Sequence, residues 1–519
     1  MSEPAYLSDP LQAAATGMIV AFHAHQAPDR MAIRAEQGPT RTYGELNARI
    51  NQVARVMREQ GLKPGDAVAL VCSNRAEFAE ALLACFRTGL RVSPVNWHLT
   101  APEIAYIVND CEAKVLFGDA RFRDTMEEVL KESPHVQLPL AIGGSIPGFK
   151  DYDAEVEKQS GENIDNPSRG FQMLYTSGTT GYPKGVYREV ATAPTMLTEF
   201  AHYEPGKDTA LCTGPLYHAA PLGLDLLAAI GNGVGIVLMD KWDPEKCLKF
   251  IEEYKITQSH MVPTMFHRML ALPEDVRSKY DVSSLKFIIH GAAPCPVHTK
   301  QQMYDWFGDV IYEYYGATEG VGTIVGPDDW KKKPGTVGVA PEGMLIVDEE
   351  TDEELGPGKV GIIWIPVPEE GGFKYYKAEE KTQKAYRKGT HYSMHDMGYI
   401  DEDGWLYLSD RRADLILSGG VNIYPAEVDA ALLKHDAVED VCTIGVPNPD
   451  WGQEVMSVVQ LKEGVAASDQ MAQDLIAHCQ ATIAKFKCPR KIEFTDELPR
   501  SDAGKIQRRK VRDKYVPES

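Results

Sequence analysis

Between residues 42 and 117 the chain alternates helical and strand periodicity in a fixed order, and that order permits few folds. Thr42 and Glu45 form a capping-box pair. Leu46, Ile50, Val53 and Met57 then fall on one helical face, and Gly61 and Pro64-Gly65 stop that helix. Residues 67–71 read as a buried strand, 77–87 as a helix and 91–95 as a strand. Thr100 and Glu103 cap a further helix, followed by a strand at 114–117. Strand–helix–strand alternation at this spacing predicts parallel sheets with helices outside. A second such run covers 209–239, 244–255, 258–262 and 286–290.

Beyond about residue 330 the texture changes. Residues 335–364 are rich in Gly, Pro and short apolar runs, which predicts a β-rich subdomain. After Arg411 the pattern is that of a compact α+β unit, with helices at 425–433 and 470–486 and strands at 438–446 and 454–461. A chain of 519 residues is too long for one core. The expected fold class is α/β, with a large N-terminal domain at 1–411 and a small C-terminal domain at 412–519.

Nine cysteines are scattered without a CxxC pair, the usage of reduced thiols in a cytoplasmic protein. No apolar run approaches the ~18 residues of a transmembrane helix, so no integral membrane segment is expected. The N-terminus lacks the basic start and apolar core of a signal peptide. A formal net charge of −21 argues against nucleic acid as a partner. It also demands local basic groups if the ligand is a phosphate, and 485–514 is a strongly basic stretch.

The stretch Tyr175-Thr-Ser-Gly-Thr-Thr-Gly-Tyr-Pro-Lys-Gly-Val186 combines tight-turning glycines, hydroxyl donors and one lysine. That combination suits a polyphosphate. It is not a Walker A loop, because Pro183 precedes Lys184 and Gly185 follows it. In Tyr312-Glu-Tyr-Tyr-Gly-Ala-Thr-Glu319, aromatic faces can stack on a base, while Thr318 and Glu319 beside a glycine turn can serve a phosphate and a hard cation. Further landmarks are Pro215-Leu-Tyr-His218, His290-Gly-Ala-Ala-Pro294, Asp396 with Arg411, Ser418-Gly-Gly-Val-Asn-Ile-Tyr-Pro-Ala-Glu427 and Gly504-Lys505. In kind and order these strings resemble the adenylate-forming superfamily of acyl-CoA synthetases, luciferases and peptide-synthetase adenylation domains, in its acyl-CoA ligase branch.

The resemblance implies ATP, Mg²⁺ and coenzyme A as cofactors and a two-step reaction through an acyl-adenylate. It implies that Thr176, Ser177, Gly178, Thr179, Thr180 and Lys184 cradle the phosphates. Gly291, Ala292, Ala293, Tyr314, Tyr315 and Gly316 would lie against the adenine. Thr318 would meet the α-phosphate, Glu319 the metal, Asp396 the ribose hydroxyls, and Arg411 the ribose and phosphates. Lys505 is then the catalytic lysine and His218 borders the substrate carboxylate. Ser418, Gly419 and Gly420 would line the CoA tunnel, with His218, Ala219, Leu222, Gly291, Gly316 and Val321 around the acyl group. The C-terminal domain would rotate between steps about a hinge at Ala413.

The chain departs from the family pattern at Ala413, where members carry Asp or Lys, and at Met394-His395, where most have Thr-Gly before the ribose aspartate. These departures keep a specialist for one half-reaction in view, acting on a preformed acyl-adenylate. A stand-alone adenylation enzyme loading a carrier protein is a further alternative. Small residues around 219–222 and 291–293, with no acidic side chain at 218–222, favour a bulky hydrophobic carboxylic acid over acetate or an amino acid. A homodimer is compatible with all of this.

Overall fold

The computed structural model describes residues 4–176, 183–188, 201–292, 295, 297–348, 351–369, 371–411, 416–499, 506 and 508–516. Ser177, Gly178, Thr179, Thr180, Ala293, Ala413 and Lys505 lie outside the described residues.

Both alternating runs form parallel sheets. The first sheet orders its strands Lys150–Asp151, Leu138–Ile142, Ala113–Asp119, Ala67–Val71, Arg91–Pro94, Phe171–Gln172, all parallel. The second has a parallel centre of Ile311–Ala317, Phe287–His290, Gln258–Met261, Thr209–Cys212, Gly235–Leu238 and Met31–Ala35. Antiparallel strands, Gly320–Val325 and Arg41–Thr42, close its two edges.

Two helices supply much of the core that joins the sheets. The capping box opens Tyr43–Glu59, with Glu45 N–H donating to Thr42 Oγ1 and Thr42 N–H to the Glu45 carboxylate. Leu46, Ile50, Val53 and Met57 are all fully buried along its inner face. Every residue of Ala76–Arg87 is buried. A helix buried all round sits inside a large protein, and its polar members are paired: Glu80 accepts from Arg41, Arg49 and the Tyr152 hydroxyl.

The β-rich segment forms an antiparallel sheet through Gly338–Val339, Trp405–Arg411, Asp396–Ile400, Gly361–Pro366, His391–Tyr392 and Tyr386–Arg387. The C-terminal unit is built on the hairpin Val438–Asn448 and Gly452–Leu461. The helix expected over 470–486 ends at Thr482. Ile483 turns extended there, is buried against the C-terminal core, and lets Ala484 join an N-terminal cluster with Val95, Leu99 and Ile104. Burial on both sides of the bend outweighs continued helix. All nine cysteines are free thiols. Among the described residues no helix is long and apolar enough to cross a membrane.

Candidate active site

Ligands of open α/β sheets bind beyond the carboxyl ends of the strands. Here those ends converge on a cleft of about 1690 Å³. Its wall takes Asn96 after Arg91–Pro94, Gly214 after Thr209–Cys212, Val262 after Gln258–Met261, Ala292 after Phe287–His290 and Thr318 after Ile311–Ala317. The β-rich sheet contributes Asp396, and the C-terminal unit contributes Gly419, Gly420, Phe486 and Lys487.

One end of the cleft gathers cationic side chains around Glu319. Lys184 begins a strand that pairs with Leu174–Thr176, which sets it opposite Thr176. Its ammonium lies 5.2 Å from the centre of the Tyr375 ring. Burial, then the neighbouring Lys381, push its pKa down to about 8. Two lysines held against each other favour an anion between them. Tyr375 donates its hydroxyl to Glu319 Oε1 at 2.8 Å, and Arg188 donates to the Glu319 carbonyl at 2.6 Å, fixing the turn after Thr318. Burial raises the Glu319 carboxyl above the usual range, and the charge of Asp396 adds to this. Lys184, Lys381 and Arg188 thus place positive charge locally in a chain of −21 overall.

Among the described residues no group of three or more His, Cys, Asp or Glu could cage a metal. A single carboxylate at Glu319 beside an anion site suits Mg²⁺, which keeps few protein ligands and completes its shell with phosphates and water. Asp396 stands in register opposite Arg411, across the strands Asp396–Ile400 and Trp405–Arg411. The preceding His395 has φ +63°, with its N–H bonded to Ser393 Oγ. That left-handed conformation favours glycine and costs another residue roughly 1–2 kcal/mol. It gives a backbone reason for the glycine that the resemblance places before the aspartate, and His is among the residues that tolerate it.

The other end of the cleft is lined by His218, Ala219, Ala220, Leu224, His260, Met265, Ile289, Tyr314, Gly316 and Val321. Alternation along Ile311–Ala317 sends Tyr314 and Gly316 to the cleft. Tyr315 turns the other way, 4% exposed among Val186, Ile363 and Phe373. The ring that faces the cleft is therefore Tyr314, not the expected pair. Leu222 also departs from expectation: it is fully buried in the core with Leu216 and Leu226. The segment Pro221–Leu227 winds with i→i+5 bonds, and the wider turn brings Leu224 round to the cleft instead. Gly291 underlies the Tyr314 ring; a Cβ there would stand 2.5 Å from it. Burial, then the nearby His98, push His218 down to about 4, so its imidazole is neutral near pH 7.

The C-terminal unit meets the cleft through a hairpin turn. Gly419 and Gly420 have φ +58° and +81° and follow Ser418, the last residue of its strand. A Cβ on Gly419 would strike Trp451 at 2.5 Å; on Gly420 it would stand 3.6 Å from Val262 and 3.8 Å from Thr264. Nearby, Lys487 donates to Glu103 at 2.9 Å and Glu427 at 2.7 Å, with all three side chains at most 13% exposed. The other Glu103 oxygen accepts from the Thr100 N–H and hydroxyl. The Phe486 ring lies 6.4 Å from His98, edge to face.

Residues 20–376 match the family model for the AMP-binding enzyme, and 427–505 match the model for the C-terminal domain of that enzyme. The chain belongs to the AMP-binding enzyme family. It is 32% identical over 502 residues to a 2-succinylbenzoate–CoA ligase of Geobacillus kaustophilus, covering 95% of this chain and 96% of the relative. It is 30% identical over 512 residues to the fatty acid–[acyl-carrier-protein] ligase ScoC of Streptomyces coeruleorubidus, covering 96% of each. A solved o-succinylbenzoate CoA synthetase from Bacillus subtilis, a double mutant bound with a CoA product analogue, superposes with a TM-score of 0.79 at 27% identity, covering 95% of this chain and 98% of that one. The protein is thus an adenylate-forming, AMP-forming enzyme, and the relatives it matches are named as ligases of acids to CoA or to an acyl-carrier protein. The similarity reaches well upstream of Tyr175, where the sequence offered only a helix–strand texture.

In this AMP-binding enzyme the motifs omit several cleft residues. Tyr375, Lys381 and Arg188 sit in segments that read as ordinary strand and surface helix. His260 did carry a signal: Gln258, Ser259 and His260 put three polar side chains in a strand whose every residue is buried. Buried polar residues are the informative exception.

Proposed function

We propose that this enzyme activates a bulky hydrophobic carboxylic acid as its acyl-adenylate and passes the acyl group to CoA. The observation that carries the reading is the shared cleft: Lys184, Glu319 and Asp396 line one end, and the Gly419-Gly420 turn enters from the C-terminal unit. In the first step the acid's carboxylate oxygen attacks the α-phosphorus of ATP and pyrophosphate leaves. Lys184 and Thr318 hold the phosphates, and Asp396 and Arg411 hold the ribose. Glu319 would hold Mg²⁺, which supplies charge neutralisation when bound. Lys505 offsets the repulsion between the two meeting anions.

In the second step the CoA sulfur attacks the acyl carbon, the bond to the AMP oxygen breaks, and AMP leaves. The thin Gly419-Gly420 backbone gives the pantetheine arm room to pass beside Val262 and Thr264. Neutral His218 borders the acyl carbonyl without adding charge. Residues 1–411 and 412–519 act as two domains that change orientation between the steps about Ala413.

The apolar walls of Leu224, Met265, Ile289 and Val321 support a large hydrophobic acyl group. ScoC, the acyl-carrier-protein ligase, keeps a carrier protein as the competing acceptor. Incubation with ATP, Mg²⁺ and a panel of hydrophobic acids, with CoA or a carrier protein as acceptor, tests the reading. AMP, pyrophosphate and thioester are quantified separately. Pyrophosphate without CoA-dependent thioester would refute CoA as acceptor. Thioester only from a supplied acyl-adenylate would identify a half-reaction specialist.

A further inference from the structure

The acyl end of the cleft closes on a polar pair. Tyr314 stands four residues before Thr318, on the order of 13 Å from the phosphate end at ~3.3 Å per strand residue. Its hydroxyl lies 3.3 Å from His260 Nε2, and Gly291 is the only residue type that fits beneath its ring, since any Cβ would stand 2.5 Å from it. His260 is 3% exposed. Its strand is fixed from behind: the His260 N–H donates to Asp225 Oδ1 at 2.7 Å, and its carbonyl accepts from Thr213 Oγ1 at 2.7 Å. Asp225 belongs to the wide-turn helix Pro221–Leu227. The same end of the cleft is lined by the apolar side chains of Leu224, Met265, Ile289 and Val321. Burial, then His218, hold His260 at about 3, so it is neutral. Burial also raises the Asp225 carboxyl well above its usual value. The Tyr314–His260 pair can hydrogen-bond and carries no positive charge near pH 7.

We propose that the preferred acid bears a neutral hydroxyl or keto oxygen at the end remote from its carboxylate, received by Tyr314 and His260 as specificity-determining residues. This rests on the ligase reading above. A tyrosyl oxygen can donate one hydrogen bond and accept others, and the imidazole tautomer sets which role Tyr314 plays toward His260. In either arrangement the pair can meet a hydroxyl. A plain hydrocarbon end displaces water from polar atoms and gives nothing back, which is the source of strong discrimination at such sites. A second carboxylate meets no positive charge from the pair. An apolar chamber with few placed polar groups fixes a ligand by those groups.

The test uses two matched pairs of acids: 3-(6-hydroxy-2-naphthyl)propanoic against 3-(2-naphthyl)propanoic acid, and 12-hydroxydodecanoic against dodecanoic acid. Pyrophosphate release with ATP and Mg²⁺ gives kcat/KM for each. The oxygenated member of at least one pair should be favoured by about tenfold or more. Tyr314→Phe should erase that preference, lowering kcat/KM for the oxygenated member of a pair by more than for its plain partner. Equal rates or a preference for the plain acid in both pairs overturns the inference, and the wild-type comparison stands even if the variant does not fold. A Tyr314→Phe enzyme that keeps the full preference also overturns it. If no acid in a broad panel releases pyrophosphate, the ligase reading itself fails and this inference falls with it.

Discussion

Replacing Lys487 with Met should separate the two half-reactions. Lys487 sits between Glu103 of the N-terminal α/β region and Glu427 of the C-terminal unit, at 2.9 Å and 2.7 Å. The two carboxylate oxygens therefore face one another within about 5.6 Å. At an effective dielectric constant of ~20, two like charges at that separation repel by about 3 kcal/mol. This agrees with the ~3–5 kcal/mol lost when one member of a buried ionic group is removed. Methionine keeps most of the stem's packing, so the charge is what changes. The penalty applies only while Glu103 and Glu427 are together, the arrangement with Gly419-Gly420 in the cleft. About 3 kcal/mol moves a two-state equilibrium by about two orders of magnitude. Thioester formation from a supplied acyl-adenylate should slow by up to about a hundredfold in single-turnover assays at pH 8, where relief by protonating Glu427 is less available. Pyrophosphate exchange, which does not need this contact, should hold within a few-fold. Equal loss in both assays would mean general destabilisation. No loss in either would mean that the triad does not hold the orientation.

Three further outcomes are expected. Lys505→Ala should suppress adenylation far more than transfer from a supplied acyl-adenylate, measured by pyrophosphate exchange and by thioester yield; equal suppression would remove its assigned role. Gly420→Leu should do the reverse, because φ is +81° there and Val262 and Thr264 face the position, so unchanged CoA turnover would sink the tunnel reading. The ratio of thioester formation to adenylation should fall as pH rises through 7. Burial, then the charge of Glu103, raise Glu427 to about 7 against the pull of Lys487, so the docked arrangement holds a proton that it loses above that pH. The Cys479 thiol behind it is pushed up and stays protonated. Glu427→Gln should flatten this dependence, and an unchanged profile would assign it to another group.

Local physics was legible in the sequence. The helix Tyr43–Glu59 declares its start by Thr42 and Glu45 and its buried face by Leu46, Ile50, Val53 and Met57, all within one stretch. The parallel sheets followed from alternation. What alternation does not encode is order, since Met31–Ala35 crosses the chain to lie beside Gly235–Leu238. The cleft divides similarly. Lys184, Thr318, Glu319 and Asp396 stand in strings whose composition suits phosphate, cation or ribose, and they line one cleft. Leu222 was placed in the acyl pocket by its nearness to the Pro215–His218 motif, and the wide-turn helix that buries it and turns Leu224 to the cleft leaves no mark in that motif. Tyr375 and Lys381 gain their meaning only when Lys374–Tyr375 pairs with Lys184–Tyr187. Lys487 looked like one cation of a basic tail until its two carboxylates arrived from residues 103 and 427.

Glu103 belongs to two structures at once. One oxygen caps the helix Ala101–Asp110 through Thr100, and the other receives Lys487. Asn96, His98 and Leu99, just ahead of that cap, form part of the rim of the cleft. In the proposed alternation of the two domains, departure of the C-terminal unit would take the cation from this carboxylate and leave it guarding the helix end alone. On that reading the rim would sense where the C-terminal unit stands, braced by Lys487 while the unit is docked and released when it departs. A substitution at residues 100–103 should then register as altered product escape, although none of those residues touches a reacting atom in the proposed chemistry.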